Sequence, residues 1–237
     1  MRLSELLQCA QPLFFEDGFE GYEYSGGGTF FFARYAGKYY GITAKHCLRG
    51  RDKETIRLFI SDDEEGDDFV PIRKIHLIED PPDGMVDSAD LAFMELNVSS
   101  LSASQKIAPW FLNYDYLMGF DVKFRRGDLM VTRGCPNCIG GVDYDACAIR
   151  KGFFTVDGAY GGEGIDARTH ICIFSDLSKV ADMNGMSGSP VFKVEKVLFG
   201  MDYWFAGVIL RSTKSSGFAR FVDCGVIYTA LRKLRTA

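Results

Sequence analysis

Apolar residues along this chain occur in short runs separated by turn residues, a pattern typical of β-strands rather than of long helices. Residues 29–35 and 39–44 are two such runs, joined by a short turn as in a β-hairpin. Residues 55–60 alternate polar and apolar side chains, as a half-buried strand does, and shorter runs follow at 69–72 and 75–78. The first part of the chain is therefore predicted to be β-structure.

The periodicity becomes irregular over residues 101–121, which we take as the connection between two halves of the chain. Beyond it, strands are predicted at 128–132, 148–154, 171–174, 191–194 and 204–210, the last two as a pair. The glycine-rich residues 158–164 are predicted to form a loop, and residues 226–231 a closing C-terminal helix. The expected organisation is one domain over residues 1–237, with a first barrel at about 20–105 and a second at 122–237.

Size and charge narrow the class of protein. With 237 residues, 47% of them hydrophobic, the chain can bury the core of one globular unit or of two small packed barrels. The net charge of −5 argues against a general nucleic-acid binder, because neutralising phosphates needs a concentrated basic surface. The basic residues Arg232, Lys233 and Arg235 fall at the end of the predicted helix, where they suit its dipole. We expect no nucleic-acid partner.

The N-terminal ten residues lack a sustained apolar core and include Glu5, so we expect no secretion signal there. No run approaches the roughly 18 apolar residues of a membrane span. These features predict a soluble, cytoplasmic protein without a membrane partner.

Seven cysteines form an odd set without a regular framework, which predicts mostly reduced thiols. Cys135 and Cys138, with Cys147 as a third, could share a disulfide or a zinc ion, but no fourth ligand lies near them in sequence. The acidic residues 62–68 lack the spacing of a calcium loop. We predict no metal and no cofactor.

Three short segments carry the chemistry of a catalytic triad. A serine hydroxyl needs an imidazole to take its proton and a buried carboxylate to orient that imidazole. His46 follows an apolar strand, Asp90 precedes the apolar run Leu91-Ala92-Phe93, and Ser187 lies between two glycines. Asp87 is a nearby competitor for the acidic role. The expected roles are nucleophile for Ser187, general base for His46 and orienting carboxylate for Asp90.

The turn around Ser187 also predicts an oxyanion hole. Gly185 and Gly188 permit a tight turn that presents the serine hydroxyl and aims backbone amides at one point. The amides of Gly185 and Ser187 are the expected donors. Taken alone, the segment is more typical of an ordinary glycine-serine turn between strands.

Together the three segments resemble the signature blocks of the trypsin-like, chymotrypsin-fold serine peptidases: Thr43-Ala44-Lys45-His46-Cys47, Asp90-Leu91-Ala92-Phe93 and Gly185-Met186-Ser187-Gly188-Ser189-Pro190. The resemblance spans residues 26–231, and the chain order His, Asp, Ser is that of this class. Gly134-Cys135-Pro136 resembles the family's Gly-aromatic-Pro turn, with Cys135 in place of the aromatic residue. The resemblance implies an all-β fold of two packed six-stranded antiparallel β-barrels with a short C-terminal helix, and cofactor-free hydrolysis of protein or peptide substrates.

Two departures from the secreted members bear on mechanism. The chain has Met186 where those members carry an aspartate before the nucleophile, and it lacks their Ile-Val-Gly-Gly start. The resemblance is therefore nearer to bacterial and intracellular members, and restricted specificity or an activating protein partner is expected. Secreted relatives often bridge the cysteine beside the histidine, so a disulfide from Cys47 is left open.

The resemblance also implies a substrate pocket near residues 181–184 and 209–212. Its expected lining residues are Asp182, Asn184, Ile209, Leu210 and Ser212. If Asp182 points into the pocket, basic side chains would be preferred; if it lies at the surface, the pocket is small or apolar. Both readings stay open.

Two rival functions remain. One is a trypsin-fold binding or regulatory module whose catalytic site is latent or inactive, with residues 158–164 as a loop that a partner could order. The other is a thiol-redox or zinc protein built around Cys135 and Cys138.

Overall fold

The computed structural model describes residues 3–19, 22–48, 50–59, 69–79, 87–100, 112–113, 122–145, 148–198 and 200–236. The first part contains helix α1 (Leu3–Leu7) and strands β1 (Ala10–Phe19), β2 (Tyr22–Tyr35), β3 (Lys38–Ala44), β4 (Ile56–Arg57), β5 (Ile72–Leu77), β6 (Leu91–Leu96) and β7 (Leu112–Asn113). The second part contains β8 (Leu129–Gly134), β9 (Gly141–Asp143), β10 (Ala148–Arg150), β11 (Phe154–Glu163), β12 (Thr169–Phe174), β13 (Pro190–Val197), β14 (Gly200–Thr213), β15 (Phe218–Asp223) and helix α2 (Cys224–Thr236).

The first sheet has the strand order β4-β1-β2-β3-β6-β5, with β7 parallel to β2. The β2–β3 hairpin confirms the strands predicted at 29–35 and 39–44. Phe30, Phe31 and Phe32 are all fully buried. Phe30 packs edge-on against Phe32, while Phe31 meets Phe205 of β14, so β2 buries both of its faces. This strand therefore lies between the first sheet's core and the second barrel.

The second barrel closes in the order β11-β12-β15-β14-β13-β8. The β13–β14 pairing confirms the paired strands predicted at 191–194 and 204–210. The loop predicted over residues 158–164 is wrong, because residues 158–163 belong to β11 and pair with β12. A methyl group on Gly158 would lie 2.4 Å from the Ile173 carbonyl oxygen, so this glycine allows the strands to approach closely.

Several element boundaries differ from the sequence prediction. The first sheet begins at Ala10, before the expected start near residue 20. Only Ile56–Arg57 of the strand predicted at 55–60 pairs in a ladder, and Phe59 forms a single bridge to Phe69. The strand predicted at 148–154 is divided between β10 and β11. These strands are short, and the pattern of apolar residues does not locate the ends of short strands well.

The predicted C-terminal helix is confirmed by α2, which closes the molecule against the first sheet. Ile227 and Leu231 are fully buried in the same core cluster as the β2 phenylalanines. The ring of Tyr228 also meets that of Tyr35 edge-on, with centroids 6.4 Å apart. Helix α2 thus packs against the core of the first sheet.

The architecture is all-β, with one closed six-stranded barrel, one curled sheet and a short C-terminal helix, and it confirms the expected chymotrypsin-like class. Over the described residues the first sheet curls without closing into a second full barrel. None of the helices within the described ranges is long and apolar enough to cross a membrane.

Candidate active site

His46 and Asp90 are brought together by the pairing of β3 with β6. Ala44 at the end of β3 lies opposite Leu91 at the start of β6, so the residues just beyond these two positions become neighbours. All six residues of β6 are buried, so this strand lies in the core beside β3. A 3-10 turn, Lys45–Leu48, then carries His46, and another, Asp87–Ala89, leads into Asp90.

Asp90 holds His46 by both backbone and ring. Asp90 Oδ1 accepts the backbone N–H of His46 at 2.9 Å, and Oδ2 lies 2.6 Å from His46 Nδ1. The Asp90 carbonyl oxygen also accepts the N–H of Lys45 at 3.1 Å. The side chain of Asp90 is 14% exposed and that of His46 is 45% exposed. With Nδ1 bonded to the carboxylate, Nε2 is the ring nitrogen left to exchange a proton.

The hydrogen bond to Asp90 stabilises the imidazolium form of His46. The hydrogen bond to Asp90, aided by a contact with the Cys47 thiol, raises the pKa of His46 from 6.5 to about 10, against the opposing effect of burial. A general base must be neutral, so this shift lowers the fraction of competent base at neutral pH.

We expect the His46 ring to titrate well above pH 6.5, and any reaction that uses this ring as a base to slow as the pH falls below the His46 pKa of about 10. The His46 ring Cε1–H resonance, assigned with His46→Gln, would report the titration by NMR. In Asp90→Asn the titration should move back towards 6.5, the ordinary value of a histidine. A wild-type His46 that titrates at or below that value would contradict the expectation.

The turn that carries Ser187 is clamped by Thr29, a fully buried residue of β2. The Thr29 N–H donates to the Ser187 carbonyl at 3.0 Å, and Thr29 Oγ1 donates to the Gly185 carbonyl at 2.7 Å. Thr29 Oγ1 also accepts the N–H of Cys135, and the Thr29 carbonyl accepts a bond from Thr43 Oγ1. One first-sheet residue thus fixes both the position and the conformation of the second-barrel turn.

The peptides that contain the two expected oxyanion donors are fixed through their carbonyls. Asn137 N–H donates to the Asn184 carbonyl at 2.8 Å, and Ser189 N–H donates to the Met186 carbonyl at 3.1 Å. In a trans peptide the N–H points opposite to the C=O, so these bonds set the directions of the Gly185 and Ser187 amides. Within the described residues neither of those two amides donates a hydrogen bond. Both are available to a ligand oxygen.

Met186 occupies a fully buried position behind this turn, in a cluster with Met183. An apolar side chain there needs no counter-ion.

The Ser187 hydroxyl donates to the Leu210 carbonyl at 2.7 Å. No hydrogen bond joins it to His46 among the residues that the structure describes. The Cys47 thiol links the two, with Sγ 3.8 Å from His46 Nε2 and 3.6 Å from the Ser187 carbonyl oxygen. His46 and Ser187 therefore border the same site, with the hydroxyl turned towards β14.

Of the expected pocket residues, two have buried side chains and three lie nearer the surface. Ile209 and Leu210 are fully buried, so their side chains offer no surface to a substrate. Asp182 Oδ1 accepts the N–H of exposed Asn184 at 2.8 Å. Ser212 Oγ donates to the Met183 carbonyl at 3.5 Å, which places Ser212 against the 182–184 segment. The substrate pocket stays a prediction, to which Leu210 can contribute only its backbone.

The six described cysteines, Cys47 among them, are free thiols, as most were expected to be. Gly28 faces Cys47, and a methyl group on it would lie 2.9 Å from Cys47 Sγ. Complete burial raises the pKa of Cys135 to about 12, which disfavours the thiolate that redox or metal chemistry requires. Cys147 and residues 62–68 lie outside the described residues, and those described contain no cluster of three metal-ligating side chains.

Sequence reasoning missed Thr29, Asn137 and Arg211. Thr29 lies within an apolar strand, Asn137 bonds through its backbone, and both act across long sequence separations, so their local sequences carry no signal. Asp87, the competitor of Asp90, faces Arg211 and Arg220 instead of His46. Arg211 lies within the segment 209–212 that was expected to line the pocket, but it was not among the residues predicted there.

Comparison with solved structures supports the class of fold. The structure titled protease Anisep from Arthrobacter nicotinovorans matches with a TM-score of 0.54 and 15% sequence identity, covering 92% of this chain and 91% of that one. No protein-family model and no curated protein sequence matches the chain. The chain therefore has the chymotrypsin-like protease fold.

Proposed function

We propose that the protein is a serine endopeptidase that cleaves peptide bonds through Ser187, His46 and Asp90. The observation that carries this proposal is the short Asp90–His46 contact beside a glycine-flanked serine whose turn has two free amides. The fold and the similarity to a protease are consistent with it.

In the proposed reaction, Ser187 Oγ attacks the scissile carbonyl while its proton passes to His46 Nε2. The C=O π electrons move to the oxygen, and the Gly185 and Ser187 N–H groups bind the resulting oxyanion. His46 then gives its proton to the departing amine as the C–N bond breaks, leaving an acyl-enzyme. Water activated by His46 hydrolyses the ester and restores Ser187. Asp90 keeps Nδ1 protonated throughout.

The Ser187 hydroxyl must leave the Leu210 carbonyl before it can reach His46. Rotation about the Cα–Cβ bond moves a serine hydroxyl between staggered positions, so the bond to Leu210 can break without a change in the backbone. A bound peptide would favour it by offering its own N–H to the Leu210 carbonyl.

The test is reaction with a fluorophosphonate probe, followed by intact mass. We expect one adduct on the wild type and none on Ser187→Ala, because only an activated serine attacks the probe. Ser189→Ala is the matched control: the Ser189 hydroxyl is buried and has no hydrogen-bond partner among the described residues, so its removal should leave labelling intact.

A second candidate function is a regulatory module with a latent site. It is favoured by the Ser187 hydroxyl bonding to Leu210 and by the raised pKa of His46. On this reading the wild type forms no adduct until a partner protein turns Ser187 towards His46. We also propose that an active form has a restricted substrate range, because Met186 stands where the secreted members carry the aspartate used in zymogen activation.

A further inference from the structure

Two arginines converge on one carboxylate at the border of the candidate active site. Arg211 of β14 and Arg220 of β15 lie opposite each other in the strand pairing. Arg211 Nη2 is 3.9 Å from Asp87 Oδ1, and Arg220 Nη1 is 3.6 Å from Asp87 Oδ2. These separations exceed the roughly 2.8 Å of a direct charge-assisted hydrogen bond. Asp87 therefore forms only long ion pairs with the two guanidinium groups. The three side chains together carry a net positive charge.

This group lies between the nucleophile and the acid of the triad. Arg211 follows Leu210, whose carbonyl accepts the Ser187 hydroxyl. Asp87 begins the turn of Asp90, and the Asp90 N–H donates to the Asp87 carbonyl at 3.0 Å. Arg211 thus spans from the strand beside Ser187 to the turn that positions His46, and its side chain is 56% exposed.

Among the described residues, no strand pairs with β14 at Arg211 on the edge opposite β15. On one side, β14 pairs with β15 as far as Thr213. On the other side, β14 pairs with β13 only as far as Val208, which lies opposite Pro190. An extended peptide can add to such an edge as a further strand. The N–H on the N-terminal side of the scissile carbonyl would donate to the Leu210 carbonyl beside Ser187. The residues before the cleaved bond would then run along 211–213.

We propose that Arg211 is a specificity-determining residue that binds an acidic side chain of the substrate on the N-terminal side of the cleaved bond. The inference rests on the proposed peptidase function and names a substrate class for it. A carboxylate can reach Arg211 from solvent without displacing Asp87, because the existing ion pair is long and Arg211 is exposed. Arg220 then remains as the counter-ion of Asp87.

The alternative is that Arg211 only bridges the first sheet to the second barrel. A loosely formed, exposed ion pair contributes little to stability, so this role predicts a small change in unfolding and none in cleavage preference. The two roles therefore give different results in the same variant.

The experiment is digestion of a synthetic peptide library by wild type, Arg211→Gln, Arg211→Glu and Arg232→Gln, with the cleaved bonds read by mass spectrometry. Arg232 is an exposed helix residue in the last turns of α2 and serves as the matched control. For selected sites, kcat/KM is measured on peptide pairs that differ only by Glu or Gln at one position on the N-terminal side of the cleaved bond.

We expect Glu to be preferred about fivefold to tenfold by wild type and Arg232→Gln, as a charge-assisted contact would give. The preference should vanish in Arg211→Gln, reverse towards Lys in Arg211→Glu, and weaken with salt.

Separate results distinguish the inference from the function on which it rests. Cleavage by wild type with the same preference as Arg211→Gln would overturn the inference and leave the peptidase function standing. If the fluorophosphonate labels Ser187 but no library peptide is cut, Glu peptides should protect against labelling better than their Gln counterparts, and equal protection would overturn the inference. Absence of both labelling and cleavage would overturn the proposed function and the inference together.

Discussion

Replacing Asp90 by asparagine is expected to lower the rate of fluorophosphonate labelling about 10⁴-fold while the protein remains folded. The asparagine oxygen can still accept the His46 backbone N–H, as Asp90 Oδ1 does at 2.9 Å. Its NH₂ group then faces His46 Nδ1, which must accept a hydrogen bond and give up its proton. The ring proton then lies on Nε2, and the nitrogen that the proposed mechanism uses as the base can no longer accept a proton.

The comparison is the labelling rate of Asp90→Asn against Asp176→Asn, both measured across the pH range. Asp176 is an exposed residue that accepts the N–H of Ser178, so its amide variant makes the same chemical change away from the site. We expect the control to label at the wild-type rate. An Asp90→Asn rate within tenfold of wild type would show that Asp90 does not orient the base.

Replacing Gly188 by alanine is expected to unfold the catalytic turn or the whole chain, with a loss of about 4 kcal/mol or more in the free energy of unfolding. A methyl group on Gly188 would lie 1.8 Å from the Thr29 carbonyl oxygen and 2.5 Å from Thr43 Oγ1. Thr29 and Thr43 are both fully buried in the first sheet, so neither can move aside easily. The φ of +91° at Gly188 adds backbone strain.

Gly127→Ala separates these two causes. Gly127 has a φ of +90°, but a methyl group on it meets nothing within 4 Å. We expect a loss of about 1–2 kcal/mol from this strain alone. Urea unfolding of the two variants measures both losses. Equal losses in the two variants would mean that the close contact between Gly188 and β2 adds nothing to the cost of a side chain at Gly188.

The strands of the site were readable from sequence because their signals are local. The run from residue 39 to 44 predicts a strand that ends just before His46, and the apolar Leu91-Ala92-Phe93 places Asp90 at the entry of another. Whether the two ends meet depends on the β3–β6 register, which apolar patterning restricts without determining. Burial of all six β6 residues then leaves Asp90, at the strand entry, next to His46.

The contacts that hold the nucleophile turn could not be read in this way. Thr29 bonds to Gly185 across 156 residues of sequence, and nothing in the surrounding apolar strand marks its hydroxyl. The misplaced loop at 158–164 has a related cause. Glycines usually indicate turns, but Gly158 is a glycine because a neighbouring strand leaves no room for a side chain. Local propensity yields to tertiary packing at both places.

The dependence of the Ser187 turn on Thr29 has a consequence for the order in which a proposed active site would form during synthesis. β2, His46 and Asp90 precede Ser187 in the chain, so the ribosome delivers the proposed base and its carboxylate before the proposed nucleophile. When Ser187 emerges, its carbonyl and that of Gly185 find their partners only once the second barrel has docked on the first sheet. A peptidase built this way would gain cleavage activity as its last folding step, so the unfinished chain would be protected from its own chemistry.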